Sequence, residues 1–473
     1  MPEAGAPVGR LAIVLHAHMP YVEGFGTYPF GEEWLFDAVS RSHLPVLEKA
    51  RDLTVSITPV LADQLEDSEV TGRLREFLIR HRIEAAEEDL RSVEDPYREA
   101  AEAELNRYGS ALASLDSLEG GPLDAFRRAQ ADRGVELLAS SATHAVLPLL
   151  ATDRGIDVQL ATGIASHDRR FGWEGGFWLP ECAYSPGLEA RLERHGVRHF
   201  CVDQSRWEGG DESLAPVRTG PDQLAFTIDW EAVSWLWDLS GYPSWPGYAD
   251  FHAQSMNGMK IFAIDGSPRD PEAGRLKAAE QAEAFLDSVS ERLASRASRT
   301  GSAGLMVFAC DMELLGHWWT EGPDWLASVL DGAADRGIEL VTLGRASELA
   351  EAREAELMPS TWGKGKDFRT WDSPSQADIV IGARRLELAV CRAVARGLEG
   401  SACERAVREL LAVQSSDWAF LDHTGQAGDY PFDRATSHAS AAFEALESDR
   451  PGFPDPRLRS LAPDLDITPM LVP

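Results

Sequence analysis

Two acidic side chains set in aromatic surroundings are the residues best placed to do chemistry. One lies in Phe177-Trp178-Leu179-Pro180-Glu181-Cys182-Ala183-Tyr184, the other in Phe308-Ala309-Cys310-Asp311-Met312-Glu313-Leu314-Leu315-Gly316-His317-Trp318-Trp319. Each acid follows an apolar run that reads as a buried strand. A carboxylate at the carboxyl end of such a strand, beside tryptophan, is costly to fold unless it is used. Two such acids with flat stacking surfaces suit cleavage of a glycosidic bond by double displacement, which needs one nucleophile and one acid/base. In the second segment Asp311 and Glu313 are two residues apart and face the same way on a strand. Asp311 comes first after the apolar run and is the choice for chemistry. Glu313 is expected to hydrogen-bond its neighbours or to start the next helix.

His16-Ala17-His18-Met19-Pro20 follows the first apolar run, and His144 follows another in Ser140-Ser141-Ala142-Thr143-His144. Two readings of His16 and His18 compete with a purely structural one. They could hold a metal, recruiting His144, Asp203 and Asp265, or they could donate to sugar hydroxyls. The chain has 14 tryptophans. Trp237, Trp362 and Trp371 stand in or beside glycine-rich or charged loop stretches, where a flat face suits the apolar side of a pyranose. No P-loop, GxSxG, GxGxxG or HExxH motif is present, so neither a bound nucleotide nor a serine nucleophile is expected.

These residues need a scaffold. Short apolar runs at Leu11–Leu15, Leu53–Ile57, Val135–Ala139, Gly176–Leu179, Val197–Val202, Lys260–Ile264, Leu305–Cys310 and Glu339–Leu343 read as strands. Helical stretches between them imply a parallel sheet, in a barrel or a doubly wound fold. Residues 71–118 have helical period, with helices expected at Arg80–Asp89 and Tyr97–Ala113 and a break near Pro96. That is too long for an ordinary connection and reads as a helical insertion. Trp207–Pro221 and Gly241–Gly247 read as surface loops. After about Pro374 only helices are expected, at Asp378–Leu398, Ala402–Gln414 and Ala439–Glu447.

Length and composition set the outer limits. The 473 residues are 44% hydrophobic, enough for a large core. With 45 Lys+Arg against 77 Asp+Glu the formal charge is −32, which argues against nucleic acid and anionic membranes as partners but not against a neutral polymer. The five cysteines, Cys182, Cys201, Cys310, Cys391 and Cys403, show no CxxC spacing. They fit buried, reduced thiols in a cytosol. Met1-Pro2-Glu3-Ala4-Gly5 has no signal-like character, and no apolar run is long enough to span a membrane.

Taken in order, several segments resemble glycoside hydrolase family 57, and most closely its α-1,4-glucan branching enzymes. They are Leu15-His16-Ala17-His18-Met19-Pro20-Tyr21-Val22, Ile57-Thr58-Pro59-Val60-Leu61-Ala62-Asp63-Gln64-Leu65, Ser141-Ala142-Thr143-His144, Trp178-Leu179-Pro180-Glu181, Asp311 to Trp319, Gln414-Ser415-Ser416-Asp417-Trp418-Ala419-Phe420 and Thr424-Gly425-Gln426-Ala427. The resemblance implies a (β/α)7 barrel over residues 1–350 with a helical insertion at about 66–120. It also implies an α-helical C-terminal domain over 351–473 that lends aromatic residues to the cleft. By the same resemblance Glu181 is the nucleophile and Asp311 the general acid/base. His16, His18 and His144 line the subsite of the cleaved glucose, and Trp237, Trp318, Trp362, Trp371 and Trp418 stack on the chain or close the pocket. The implied partner is an α-1,4-glucan, with no metal or cofactor, in a cytoplasmic monomer or weak homo-oligomer.

The chain departs from that pattern in two places. The branching enzymes carry a tyrosine-bearing loop after the strand beyond the nucleophile. Here Asp203 to Trp230 is short and has no tyrosine, and Met259 to Asp265 lacks an expected arginine. A shorter lid admits water, so more hydrolysis relative to transfer is expected, with Tyr242 or Trp245 as substitutes for the lid. The alternatives are an α-amylase-like hydrolase of the same family and, from another class, a metal-dependent carbohydrate deacetylase using His16 and His18.

Overall fold

The strand β1, Gly9–Ala17, is apolar along almost its whole length, and only Arg10 is not buried. A strand buried on both faces cannot sit at the edge of a sheet, and β1 is paired on both sides. In the computed structural model, which describes residues 7–26, 30–447 and 460–471, β1 lies parallel to β8, Gly304–Asp311, over its first eight residues. Its other edge is shared between β9, Ile338–Leu340, and β2, Thr54–Ile57. Beyond β2 the sheet continues through β3, Glu136–Ser140, β4, Gly176–Trp178, β5, His199–Val202, and β7, Gln223–Thr227, all parallel. The short β6, Val217–Gly220, is antiparallel to β7.

Seven parallel strands thus run in the order β7-β5-β4-β3-β2-β1-β8. The two ends of this path meet at a backbone hydrogen bond, Asp229 N–H to the Val307 carbonyl at 2.8 Å. The sheet is therefore rolled into a barrel whose β7–β8 seam is incompletely bonded. The sevenfold β/α barrel expected from the resemblance has this form.

The strands differ from expectation at two points. Lys260–Ile264 is not a strand. Ile261 and Ala263 are buried, but in a loop closed by local bonds such as Ala263 N–H to Ser267 O at 2.9 Å. Its alternation reports packing against the core rather than membership of the sheet. The strand that completes the path is β7, which the sequence hides because Gln223 and Thr227 flank a three-residue apolar run. Trp207–Pro221, expected to be loop throughout, contains a short 3₁₀ turn at Glu212–Leu214 and the whole of β6.

Between β2 and β3 the chain is helical, and the break near Pro96 separates helix Glu84–Ser92 from helix Arg98–Asp116. A buried ionic network ties this insertion to the barrel. Glu104, with no exposed surface, bonds Arg41 at 2.7 Å and Arg269 at 3.1 Å, and Arg269 reaches Glu321 at 3.3 Å.

The C-terminal part is helical: Ala377–Ala395, Gly400–Val413, Ser416–Thr424 and Tyr430–Glu447. Its core is continuous with barrel residues. Leu386, Val390, Val407, Leu410 and Leu411 pack in one cluster with Tyr21, Val60, Ala142 and Val158. Helix Ser416–Thr424 was not expected, and it bears directly on the site. All five cysteines are free thiols. Among the described residues no helix is long and apolar enough to cross a membrane. The stretch Met1 to Gly5 lies outside the described residues.

Candidate active site

Strand ends bring the chemistry together at the carboxyl face of the barrel, where side chains of parallel strands converge. In register, His16 of β1 stands beside Ser56 of β2 on one side and Asp311 of β8 on the other. His16 Nε2 lies 3.0 Å from His144 Nε2, and His16 Nδ1 lies 3.2 Å from Ser56 Oγ. The three histidines form a stack, with His18 over His144 at 4.0 Å between ring centroids and His16 over Trp178 at 4.7 Å.

Glu181 follows β4 in a strained turn, with φ 60° and ψ 18°. Left-handed backbone at a non-glycine residue costs on the order of 1–3 kcal/mol and persists only where the surroundings fix it. Here they do: Trp362 N–H donates to the Glu181 carbonyl at 2.9 Å, and Tyr184 and Ser360 exchange backbone bonds at 2.9 and 3.0 Å. His144 is also left-handed, at φ 59°. Both carboxylate oxygens of Glu181 are held. Trp362 Nε1–H donates to Oε2 at 3.0 Å, and the Ser416 hydroxyl donates to Oε1 at 2.8 Å.

The two acids sit in different electrostatic settings. Burial pushes the Asp311 carboxyl well above the usual carboxylate range, reinforced by the nearby charges of Glu313 and Glu181. Burial raises Glu181 too, but the hydrogen bonds from Trp362 and Ser416 oppose the shift. Both carboxyls are raised, Asp311 the more strongly, which separates the pair in the direction that an acid and a nucleophile require. Glu313 behaves as expected of a neighbour-bonding residue: it accepts from the His18 backbone N–H at 3.1 Å and pairs with His43 Nε2 at 2.6 Å.

Burial and the charge of His18 hold the His16 imidazole well below its ordinary pKa. Burial, His18 and His16 do the same to His144. His18 goes the other way. Burial opposes its charge, but Asp417, at 3.1 Å from Nε2, raises it, aided by Glu313 and Glu181.

Trp237 and Trp318 are partly exposed, at 40% and 36%, and meet edge to face at 6.2 Å, so both offer surface to a ligand. Trp362 stands edge-on to Trp178 and His16 besides bonding Glu181. Trp371 and Trp418 do not offer a stacking face. Both are almost wholly buried, and Trp418 donates its indole N–H to the Ala412 carbonyl at 2.7 Å. As placed, they pack the wall behind the site. Tyr242 and Trp245 are half-buried against the main core. The metal set suggested for His16 and His18 is not assembled. Asp203 is bonded by Lys366 at 2.7 Å, and Asp265 is exposed in a turn with Ser267. Among the described residues no group of three His, Cys, Asp or Glu side chains is arranged to hold a metal ion.

Sequence reading gave no role to Ser56, to Thr58, whose hydroxyl lies 3.0 Å from His18 Nδ1, or to His43, Ser416 and Asp417. The run Ser415-Ser416-Asp417 entered only through the family resemblance, with no role attached, and nothing local says that it faces a strand end 235 residues away.

The sequence profile of glycosyl hydrolase family 57 matches residues 12–359, and that of the C-terminal region of 1,4-alpha-glucan branching enzymes matches residues 381–464. The chain is 33% identical over 490 residues to the 1,4-alpha-glucan branching enzyme of Thermococcus kodakarensis, covering 91% of this chain and 72% of that one. The crystal structure of that enzyme with glucose superposes with a TM-score of 0.91 at 30% identity, over 98% of this chain and 97% of the crystallised one. The branching enzyme of Pyrococcus horikoshii gives 0.90 at 30% identity, with 98% and 97% covered. The α-amylase AmyC of Thermotoga maritima shares the fold, with a TM-score of 0.86 at 23% identity, over 98% of this chain and 99% of that one.

Proposed function

Since the chain belongs to glycosyl hydrolase family 57, we propose that it is a 1,4-α-glucan branching enzyme acting by a retaining double displacement, with Glu181 as nucleophile and Asp311 as acid/base. The observation that carries this reading is the match of residues 381–464 to the C-terminal region of branching enzymes. In this chain that region delivers Ser416 to Glu181.

Neutral Asp311 protonates the glycosidic oxygen as Glu181 attacks the anomeric carbon, and the leaving glucan departs with the proton. Asp311, now ionised, takes the proton of an acceptor's 6-hydroxyl. That oxygen displaces Glu181 and completes an α-1,6 linkage. Water in the acceptor's place gives hydrolysis. His16, His18 and His144 are proposed to border the pyranose at the cleavage point, and Trp237, Trp318 and Trp362 to stack on the chain. The barrel with its insertion, about residues 1–350, and the helical remainder, 351–473, act as one catalytic unit because their cores are continuous. The free thiols and the acidic surface fit work in the cytoplasm on a neutral, glycogen-like polymer.

Azide tests the assignment of roles. In Glu181→Ala, azide should restore turnover and give the β-glycosyl azide by a single displacement. In Asp311→Ala it should give the α-azide from the trapped glycosyl-enzyme. The reverse stereochemistry would exchange the two roles.

A second reading, an α-glucan hydrolase of the same family, is favoured by the short Asp203–Trp230 segment. That segment lines a cavity of about 270 Å³ between Gln204, Ser213, Thr227 and Trp230.

A further inference from the structure

We infer that Ser416, supplied by the helical part of the chain, is a positioning residue for the nucleophile, oriented by a one-way hydrogen-bond chain running Ser56–His16–His144–Ser416–Glu181. This rests on Glu181 being the nucleophile. The chain is continuous: Ser56 Oγ to His16 Nδ1 at 3.2 Å, His16 Nε2 to His144 Nε2 at 3.0 Å, His144 Nδ1 to Ser416 Oγ at 2.9 Å and Ser416 Oγ to Glu181 Oε1 at 2.8 Å.

Its direction follows from donor counting. An ionised carboxylate only accepts, so the Ser416 hydroxyl must spend its one proton on Glu181. Ser416 can then only accept from His144, which places a proton on His144 Nδ1. Neutral His144 is left with a bare Nε2, which must receive a proton from His16 Nε2. His16 in turn has a bare Nδ1, filled by the Ser56 hydroxyl. Two stacked histidines are thereby locked in opposite tautomers, His16 as Nε2–H and His144 as Nδ1–H. Their burial, at 2% exposure each, removes competing water. Of the three rings, His18 is the one biased towards its charged form, held by Asp417, so a positive charge on His16 or His144 is disfavoured.

Ser416 is fixed on the barrel rather than resting against it. Its backbone N–H donates to the His144 carbonyl at 3.1 Å, Ala145 bridges Ser415, and the Thr143 hydroxyl donates to the Leu411 carbonyl at 2.5 Å. The other groups facing the Glu181 carboxylate are the Trp362 indole, His144 Nδ1 at 3.7 Å, and the charges of His18, Asp417 and Asp311. Of these only the Trp362 indole also donates a hydrogen bond to the carboxylate. Loss of the Ser416 donor therefore leaves one oxygen of a buried carboxylate unpaired and favours its protonated form.

The test uses the full chain with soluble amylose. Ser416→Ala should lower kcat/KM by roughly ten- to a hundredfold, the worth of a charge-assisted bond. The acid limb of its pH profile should move to higher pH, because the nucleophile must be ionised. Ser416→Thr, which keeps the hydroxyl, should restore most of the rate and the original limb. Nitrogen-15 histidine spectra of the unmutated chain should show His144 protonated at Nδ1 and His16 at Nε2. An unmoved acid limb in Ser416→Ala, or His144 protonated at Nε2, would overturn the inference. The spectra decide the matter even where Ser416→Ala folds poorly. Glu181→Gln separates the two levels: turnover surviving there sinks the nucleophile assignment itself. Loss of turnover there, with an unshifted Ser416→Ala profile, sinks only the hydrogen-bond chain.

Discussion

Asp311 and Glu181 are both carboxylates at strand ends, and their surroundings alone set them apart. Asp311 has only acidic neighbours to add to its burial, apart from His18, whereas Glu181 accepts two hydrogen bonds. Activity should therefore fall on the acid side as Glu181 is protonated and on the alkaline side as Asp311 ionises. Glu313 contributes to the second limb through its charge. Glu313→Gln removes that charge, so Asp311 ionises more readily and the alkaline limb of kcat/KM should move to lower pH. An alkaline limb that stays in place would show that Glu313 does not tune the acid. At this scale the sequence was informative about the acids and uninformative about their partners. Glu181, Asp311, His16, His18 and His144 announced themselves by following apolar runs. Ser56 and Ser416 are ordinary hydroxyls in local sequence and acquire a role only where β1, β2 and helix Ser416–Thr424 meet. Trp371 and Trp418 show the converse. The charged loop context of Trp371 suggested exposure and the resemblance gave Trp418 a place in the cleft, yet both are enclosed.

At the level of elements, hydrophobic runs located β1, β2, β3, β4, β5 and β8 because parallel strands are buried on both faces. The same criterion mistook Lys260–Ile264 for a strand and passed over β7, since burial is what a run reports and backbone pairing is not. The helical insertion was legible from its period and length. Its anchorage was not, because Glu104 looks like one more exposed acid on a charged helix. Removing it leaves Arg41 and Arg269 buried without their shared carboxylate. Glu104→Ala should cost on the order of 3–5 kcal/mol, read as a lower thermal midpoint at neutral pH. Burial opposes ionisation of Glu104, but Arg41, Arg269 and Arg107 outweigh it and hold its pKa far below normal. A depressed carboxylate stabilises the fold fully above its unfolded pKa of about 4.3 and loses that contribution as pH falls towards the folded value. The deficit of Glu104→Ala should accordingly narrow below about pH 4. Equal deficits at pH 7 and in acid would contradict the buried ion network. The aromatic pair Trp237 and Trp318 belongs to the same scale, since it joins helix Trp230–Trp237 to the turn after β8. Trp318→Ala should raise KM for long amylose more than for short maltodextrins, and equal effects on both would take Trp318 out of the binding path.

Across the whole molecule, a formal charge of −32 surrounds a site for an uncharged polymer. Electrostatic steering has nothing to act on, so kcat/KM for amylose should change little between low and high salt. The barrel and the helical part share a buried apolar cluster, and Ser416 of the helical part bonds Glu181 of the barrel, so the two are joined at the candidate site. What separates transfer from hydrolysis is whether a second glucan or water reaches the glycosyl-enzyme, and the short Asp203–Trp230 segment bears on that choice. Pure enzyme incubated with amylose, with new α-1,6 linkages and new reducing ends followed together by proton NMR and Glu181→Ala as the blank, decides it directly. Branching by Glu181 and Asp311 requires α-1,6 signal in excess of new reducing ends, with some hydrolysis beside it. Reducing ends without α-1,6 signal would contradict it and make the chain a hydrolase.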